Sequence, residues 1–349
     1  LAQGSGTIHD EAISVVNSSG AGADVKAVGC IGMCHQTPLI ELVLPDGESK
    51  FYSKVQPEEV GRIVLNHFRP RGLMRRLGHQ VSRWFGELYS DEDEDPVDLR
   101  NLDVEGDAVC GFMGPQEHIA TELFGGIDPL DLDEYLRNDG FVALKEVLAD
   151  SDPERIIDEV RRSGLRGRGG GGFPTHIKWQ KAKDAPGDFK YVICNGDEGD
   201  PGAFMDRVLL ESFPYRVIEG MAIAAQAIGA TEVIFYIRAE YRLAVERIQE
   251  AMSKCEERGF IGDRIFGTDQ SLHVRLMEGA GAFVCGEETA LINSLEGRRG
   301  TPRLRPPYPV ERGFRDKPTL INNVESLACI PWIFRNCGDE FAKFGPEDS

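Results

Sequence analysis

Tyr191-Val192-Ile193-Cys194-Asn195-Gly196-Asp197-Glu198-Gly199-Asp200-Pro201-Gly202 sets an apolar run directly before a glycine-rich acidic turn. Tyr191 to Cys194 reads as a buried strand, and the turn as the loop at its carboxyl end. Downstream the pattern alternates. Pro214 to Ile228 reads as a helix ending in Gly229, Glu232 to Ile237 as a strand, and Tyr241 to Glu257 as a helix. Leu272 to Leu276 reads as a strand, and Glu287 to Leu295 as a helix closed by Gly297. Such alternation predicts a parallel sheet with helices on its faces. Upstream, Asp131 to Leu148 has helical spacing of apolar residues, and Asp152-Pro153 opens a second helix over Glu154 to Ser163. Residues 131–349 are therefore expected to form one main domain.

Residues 1–68 read as a small α/β unit. Glu11 to Ser18 predicts a short helix, Val25 to Val28 and Leu39 to Leu44 two strands, Pro45-Asp46-Gly47 a turn, and Pro57 to Phe68 a closing helix. Residues 69–130 read as a connector, basic over Arg69 to Trp84 and acidic over Asp91 to Asp95. The net charge of −19 argues against nucleic acid, which requires a basic face. The eight cysteines are too sparse for a secreted disulfide framework, and reduced thiols in the cytoplasm are expected. No apolar run reaches the length of a membrane span. Leu1 follows no signal pattern, and the sequence is expected to be a piece of a longer protein.

Four clusters carry chemistry. Gly164-Leu165-Arg166-Gly167-Arg168-Gly169-Gly170-Gly171-Gly172-Phe173-Pro174 has G-x-G-x-x-G spacing at Gly167, Gly169 and Gly172. The dinucleotide fingerprint needs a strand before it, whereas here an amphipathic helix precedes. Consecutive glycines still let backbone N–H groups approach a phosphate or flat ring, and Arg166, Arg168 and Lys178 add positive charge. A flexible linker is the alternative, against which Phe173-Pro174-Thr175 and Lys178-Trp179 speak. The turn over Asn195, Asp197, Glu198 and Asp200 cannot chelate a phosphate. It can accept hydrogen bonds from ribose hydroxyls and ring N–H groups, or serve as a solvated turn or a divalent-metal loop. Gly279 to Thr289 follows a strand and opens a helix with Glu287 and Glu288, whose default role is as dipole partners. Asn322-Asn323, after Pro318-Thr319-Leu320-Ile321, can bind a heterocycle or cap a turn.

In this order the four clusters resemble the NADH-binding flavoprotein subunit of respiratory complex I. That family is shared with the diaphorase subunits of NAD-dependent hydrogenases and formate dehydrogenase-type complexes. The resemblance covers roughly residues 115–349, with Gly126-Ile127-Asp128-Pro129 and Asp133-Glu134-Tyr135 among the matching motifs. It implies an α/β fold in which a Rossmann-like parallel sheet binds FMN and NADH. Matched by motif, Gly167, Arg168, Gly169, Gly170 and Lys178 would hold the FMN phosphate side. Asn195, Asp197 and Glu198 would meet its ribityl chain and ring, with Asp197 and Glu198 tuning the flavin and no side chain acting as acid or base. Asn322 and Asn323 would also bind the flavin. Phe173, Asp200, Phe283, Glu287, Glu288 and Arg305 would face NADH. The family usually has Glu at Asp200, Tyr at Phe283, Lys at Arg305 and often an aromatic at Lys181, differences that bear on nucleotide affinity and on NAD versus NADP.

Val28-Gly29-Cys30-Ile31-Gly32-Met33-Cys34-His35 resembles the second cysteine pair of thioredoxin-like [2Fe–2S] domains fused to such flavoproteins. A [2Fe–2S] cluster needs four ligands, so two more are expected before Leu1; a structural or redox dithiol is the alternative. The family's ubiquitin-like and [4Fe–4S] segments are expected only beyond Ser349. The implied partners are iron–sulfur electron-transfer subunits. Two rival readings remain: a scaffold subunit that keeps the fold without turnover, and a metal-dependent phosphate-ester hydrolase using Asp197, Glu198 and Asp200.

Overall fold

The computed structural model describes residues 4–29, 32–68, 70, 101–102, 116–279 and 281–345. They divide into two compact units, Leu1–Glu117 and His118–Ser349. The connector's charge runs at Arg69–Trp84 and Asp91–Asp95 and the residue Cys110 lie outside the described residues, apart from Pro70.

In the first unit, helix α1 (Ser5–Ser19) is followed by an antiparallel hairpin of β1 (Leu39–Val43) and β2 (Ser49–Ser53). Gly47 closes the hairpin turn at φ 89°, a left-handed conformation that glycine adopts without strain. A short strand β3 (Asn101–Leu102) pairs with β2. Helix α2 (Pro57–His67) starts with Pro at its first turn and a capping box between Gln56 and Glu59. Ile8 and Ala12 of α1 pack on Leu42, Tyr52, Val60 and Ile63. Two expectations change here. The first helix begins at Ser5 instead of Glu11, and Val25 to Val28 is irregular, because no described strand pairs with it.

The second unit opens with α3 (Leu132–Arg137) and α4 (Val142–Asp150). The expected continuous helix over Asp131 to Leu148 is broken because Asp139 and Phe141 have φ of 61° and 60°. Helix α5 (Pro153–Arg162) is N-capped by Asp152, whose carboxylate accepts from Glu154 N and Arg155 N. Next come α6 (Thr175–Asp184), β4 (Tyr191–Gly196), α7 (Met205–Ser212), α8 (Pro214–Ile228) and β5 (Glu232–Arg238). The chain continues through α9 (Arg242–Glu257), β6 (His273–Gly279), α10 (Glu288–Leu295), β7 (Thr319–Asn323), α11 (Val324–Asn336) and α12 (Gly338–Phe341). The periodicity did not single out α6, α7, β7 or α11.

The sheet is parallel, in the order β6-β5-β4-β7. The chain lays β4, β5 and β6 side by side and then returns to place β7 on the far side of β4. The strand order therefore reverses between β4 and β7, where open α/β sheets bind ligands. Val192, Cys194, Phe235 and Leu320 face the large core beneath α8 and α11. Ile193, Ile234 and Ile321 face a second layer with Leu291 and Ile292 of α10.

Helix α8 is buried almost throughout, as an all-round apolar helix must be. Its one buried acid, Glu219, accepts hydrogen bonds from Tyr135 Oη (2.6 Å), Phe141 N (2.9 Å) and Leu144 N (3.2 Å), so it caps the start of α4 from another helix. Beside it, Gly220 meets α11 so closely that a Cβ there would lie 2.1 Å from the Leu327 carbonyl oxygen. Gly220→Ala must push the two helices apart and is expected to lower stability by about 1–3 kcal/mol. Urea unfolding measures this, and an unchanged midpoint would mean that the contact yields without cost.

Candidate functional site

The glycine loop leaves α5 and returns to α6 through a closed neck. Arg166 and Pro174 form an antiparallel bridge, Gly167 N donates to Phe173 O (2.9 Å), and Thr175 N donates to Leu165 O (3.0 Å). The rest of the loop is held against the start of α11. Arg168 N donates to Ser326 Oγ (2.9 Å), and Gly169 lies so near Asn323 that a Cβ would be 3.3 Å from its side chain. Gly170 has φ 91°, and a Cβ on Gly170 or Gly171 would meet nothing within 4 Å. Bare backbone thus faces open space beside the end of β7, a surface that a phosphate or ring can approach closely.

Helix α6 ties this loop to the sheet. Lys178 forms an ion pair with Glu288 and donates to Ile321 O (2.8 Å). The fully buried Trp179 donates from Nε1 to Asn322 Oδ1 (3.0 Å). Asn322 is therefore engaged below the surface. Asn323 caps α11 by accepting from Glu325 N (2.9 Å) and donates to Asp206 Oδ2 (2.6 Å).

Across the switch point, Asn195 stands in register with Asn323. Its Nδ2 donates to Gly286 O (2.9 Å), and its Oδ1 accepts from Asp197 N (3.1 Å), so one amide joins the turns after β4 and β6. The Asp197 side chain is 1% exposed, its Oδ2 has no hydrogen-bond partner, and its Oδ1 lies 3.8 Å from Arg238 Nε. Burial pushes this carboxyl up to about 6 against the pull of Arg238. Glu198 accepts from Asp206 N (3.3 Å) and Arg207 N (3.2 Å) at the start of α7. Burial, with Glu198 adding repulsion, raises Asp206 to about 7.

At the rim, Phe283 is 68% exposed and lies against Gly199, while Phe173 and Asp200 are also exposed. Glu287 N-caps α10, accepting from Thr289 N (2.9 Å) and Ala290 N (3.0 Å), and pairs with Arg305. Burial works to raise the Glu287 carboxyl, but these bonds outweigh it and hold it below its ordinary value. The residues of all four clusters thus come from the carboxyl end of the sheet and its flanking helices. Among the described residues no three His, Cys, Asp or Glu side chains converge as a metal ion requires. In the first unit, exposed Cys34 opens a short 3-10 turn, and Cys30 lies outside the described residues.

Sequence reasoning missed Asp206, Arg238, Tyr241 and Ser326. Arg238 carried a readable signal, since it is a charged residue ending an apolar parallel strand at its carboxyl end.

Residues 160–332 match the Nuo51 FMN-binding domain. The chain is 50% identical over 234 residues to the NADP-reducing hydrogenase subunit HndC of Solidesulfovibrio fructosivorans, an alignment covering 67% of this chain and 47% of that protein. It is 48% identical over 217 residues to an NADH-quinone oxidoreductase subunit of Aquifex aeolicus, covering 62% and 50%. A crystal structure of NAD+-reducing [NiFe]-hydrogenase in the H2-reduced state is similar with a TM-score of 0.56 and 32% identity, covering 80% of this chain and 44% of that one. The chain spans about half the length of the curated relatives it matches. Residues 160–332, which contain all four loops gathered at the switch point, form a domain of the Nuo51 FMN-binding family.

Proposed function

We propose that the chain is the FMN- and NADH-binding part of an NADH:acceptor oxidoreductase of the diaphorase type, a subunit delivering electrons to iron–sulfur partners in a larger cytoplasmic complex. The observation that carries this reading is the bare backbone of Gly170 and Gly171 beside the Asn195–Asn323 pair at the point of strand reversal. Bound FMN supplies a group that takes two electrons as hydride and releases them singly, as iron–sulfur centres require.

The residues fit that group. Gly167, Arg168, Gly169 and Gly170 offer backbone and positive charge to its phosphate, and Lys178 adds a cation from α6. Lys178 is already paired with Glu288, so in this reading one ion pair links the flavin side to the nucleotide side. Asn195, Asp197, Glu198 and Asn323 border the ribityl chain and ring, and Asn322, held beneath the surface by Trp179, supports them from below. The unpartnered Oδ2 of Asp197 is a buried acceptor of the kind a bound polar ligand satisfies. Phe173 and Phe283 present exposed aromatic faces to the nucleotide, with Asp200, Glu287, Glu288 and Arg305 around them. These residues bind, orient and exclude water, and none has to carry a proton.

The hydrolase reading loses support because Glu198 is committed to the start of α7 and Asp197 is buried whereas Asp200 is exposed. Purification separates the remaining two. Acid release followed by chromatography is expected to yield FMN. Recovery of FAD contradicts the single-phosphate site, and a colourless protein favours a scaffold subunit.

Asp200→Lys is expected to weaken NADH binding while FMN stays bound, because the acid would meet a ribose hydroxyl. Loss of one charged hydrogen bond corresponds to about 1.5–3 kcal/mol. Titration of the flavin-loaded protein with NADH measures it, and FMN loss with unchanged NADH affinity would reverse the assignment of the acids.

We further propose that residues 1–68 are part of a thioredoxin-like domain in which Cys30 and Cys34 supply two ligands of a [2Fe–2S] cluster in the full-length protein. Cys34 stands exposed after Gly32, whose φ is 85°, in a unit whose described residues include two helices and a hairpin. Electron paramagnetic resonance of the reduced full-length protein is expected to give a [2Fe–2S] signal that Cys30→Ala abolishes. Its persistence in that variant refutes the assignment.

A further inference from the structure

Arg238 ends β5 between the two strands whose loops line the site, and its guanidinium reaches both loops. Toward β4, Nη1 donates to Glu198 O (3.1 Å) and Nε lies 3.8 Å from Asp197 Oδ1. Toward β6, Nη2 donates to Gly281 O (3.4 Å), and it also donates to Glu240 Oε1 (3.1 Å). Tyr241 supports the same turn: its Oη donates to Glu198 O (3.0 Å), and the guanidinium lies over its ring at 5.9 Å. Packing around the brace leaves little slack. A Cβ on Gly199 would lie 2.7 Å from the Phe283 ring and 2.9 Å from Arg238 Nη1. A Cβ on Gly281 would lie 2.3 Å from Glu240 Oε1, and Gly281 has φ 76°.

We propose that Arg238 is a positioning residue for the nicotinamide nucleotide. Its guanidinium cross-braces the turn after β4 and the loop after β6, and so fixes Phe283 against Gly199 before the nucleotide arrives. This rests on the reading of the site as one for FMN and NADH. A planar fork is what the position demands, because acceptors on two separate loops must be reached from one side chain. With the brace in place, the loop carrying Phe283 is ordered in advance. Without it, NADH has to order the loop from its own binding energy, so affinity falls while the saturated complex turns over much as before.

The test uses the full-length, flavin-loaded protein, with NADH as donor and ferricyanide as acceptor. Arg238→Met is expected to raise KM for NADH about tenfold or more, as loss of a charge-assisted hydrogen bond requires, with FMN content unchanged and kcat altered less than about threefold. Arg238→Lys is expected to fall between the two, because one ammonium can serve one loop but not both. Should Arg238→Met not fold, Glu240→Gln weakens the same brace from a half-exposed side chain and is expected to raise KM by a smaller factor with kcat kept. Equal KM values for the unmodified protein and the variants would overturn the proposal. So would loss of FMN in step with the KM change, which would make Arg238 a support of the flavin turn alone. If the unmodified protein holds FMN but transfers no electrons from NADH, the functional reading falls and the inference falls with it.

Discussion

Asn195 and Asn323 face each other at the ends of two parallel strands that lie far apart in sequence, and the site is organised around that register. A slip of β7 by one residue would turn its side chains to the opposite face of the sheet, because side chains alternate along a strand. Asn323 would then lose Asp206 and its place beside Asn195. The register is secured from below by the apolar alternation of Val192, Ile193, Leu320 and Ile321, each committed to one of two cores. The precision of the polar layer is thus inherited from hydrophobic burial, which is less directional but larger in sum.

Above that layer the clusters are joined by bonds that cross between elements. Lys178 links α6 to α10 and β7, Asn195 links β4 to the loop before α10, and Arg238 links the loops after β4 and β6. Each crossing uses a group at least partly removed from solvent, where a missing partner costs more than the bond itself contributes. Glu219 repeats the device deeper in the fold, where one carboxylate inside α8 completes the open end of α4.

The sheet and most of its helices were legible because their patterns are long and their ends are marked. Tyr191 to Cys194, Glu232 to Ile237 and the helix ending at Gly229 emerged within two residues of their bounds. Where the pattern misled, a local conformation overruled it. Phe141 takes a positive φ that no periodicity announces, and it is held there by a carboxylate 78 residues away. Strand β7 was hidden because Asn322 and Asn323 give it a polar end, the same residues that were singled out as a binding cluster. The four clusters were visible from their glycines and paired polar residues. Their wiring was not, since bonds such as Asp206 to Asn323 span 117 residues and leave no trace in spacing.

Strand β7 is the last of the sheet to be synthesised, yet it pairs with β4, the first. On the ribosome, β4, β5 and β6 can assemble with α8 and α9 while one edge of β4 stays open. Only when Thr319 to Asn323 emerge does that edge close, and with it the glycine loop gains the surface on which Gly169 rests. A chain interrupted before residue 319 would lack β7 and α11, and with them one wall of the large core and the side of the site built on Asn323 and Ser326. Until then an unpaired, apolar strand edge is exposed, an invitation to join the wrong neighbour. The order of synthesis therefore makes cofactor capture a late event, one that reports completion of the sheet.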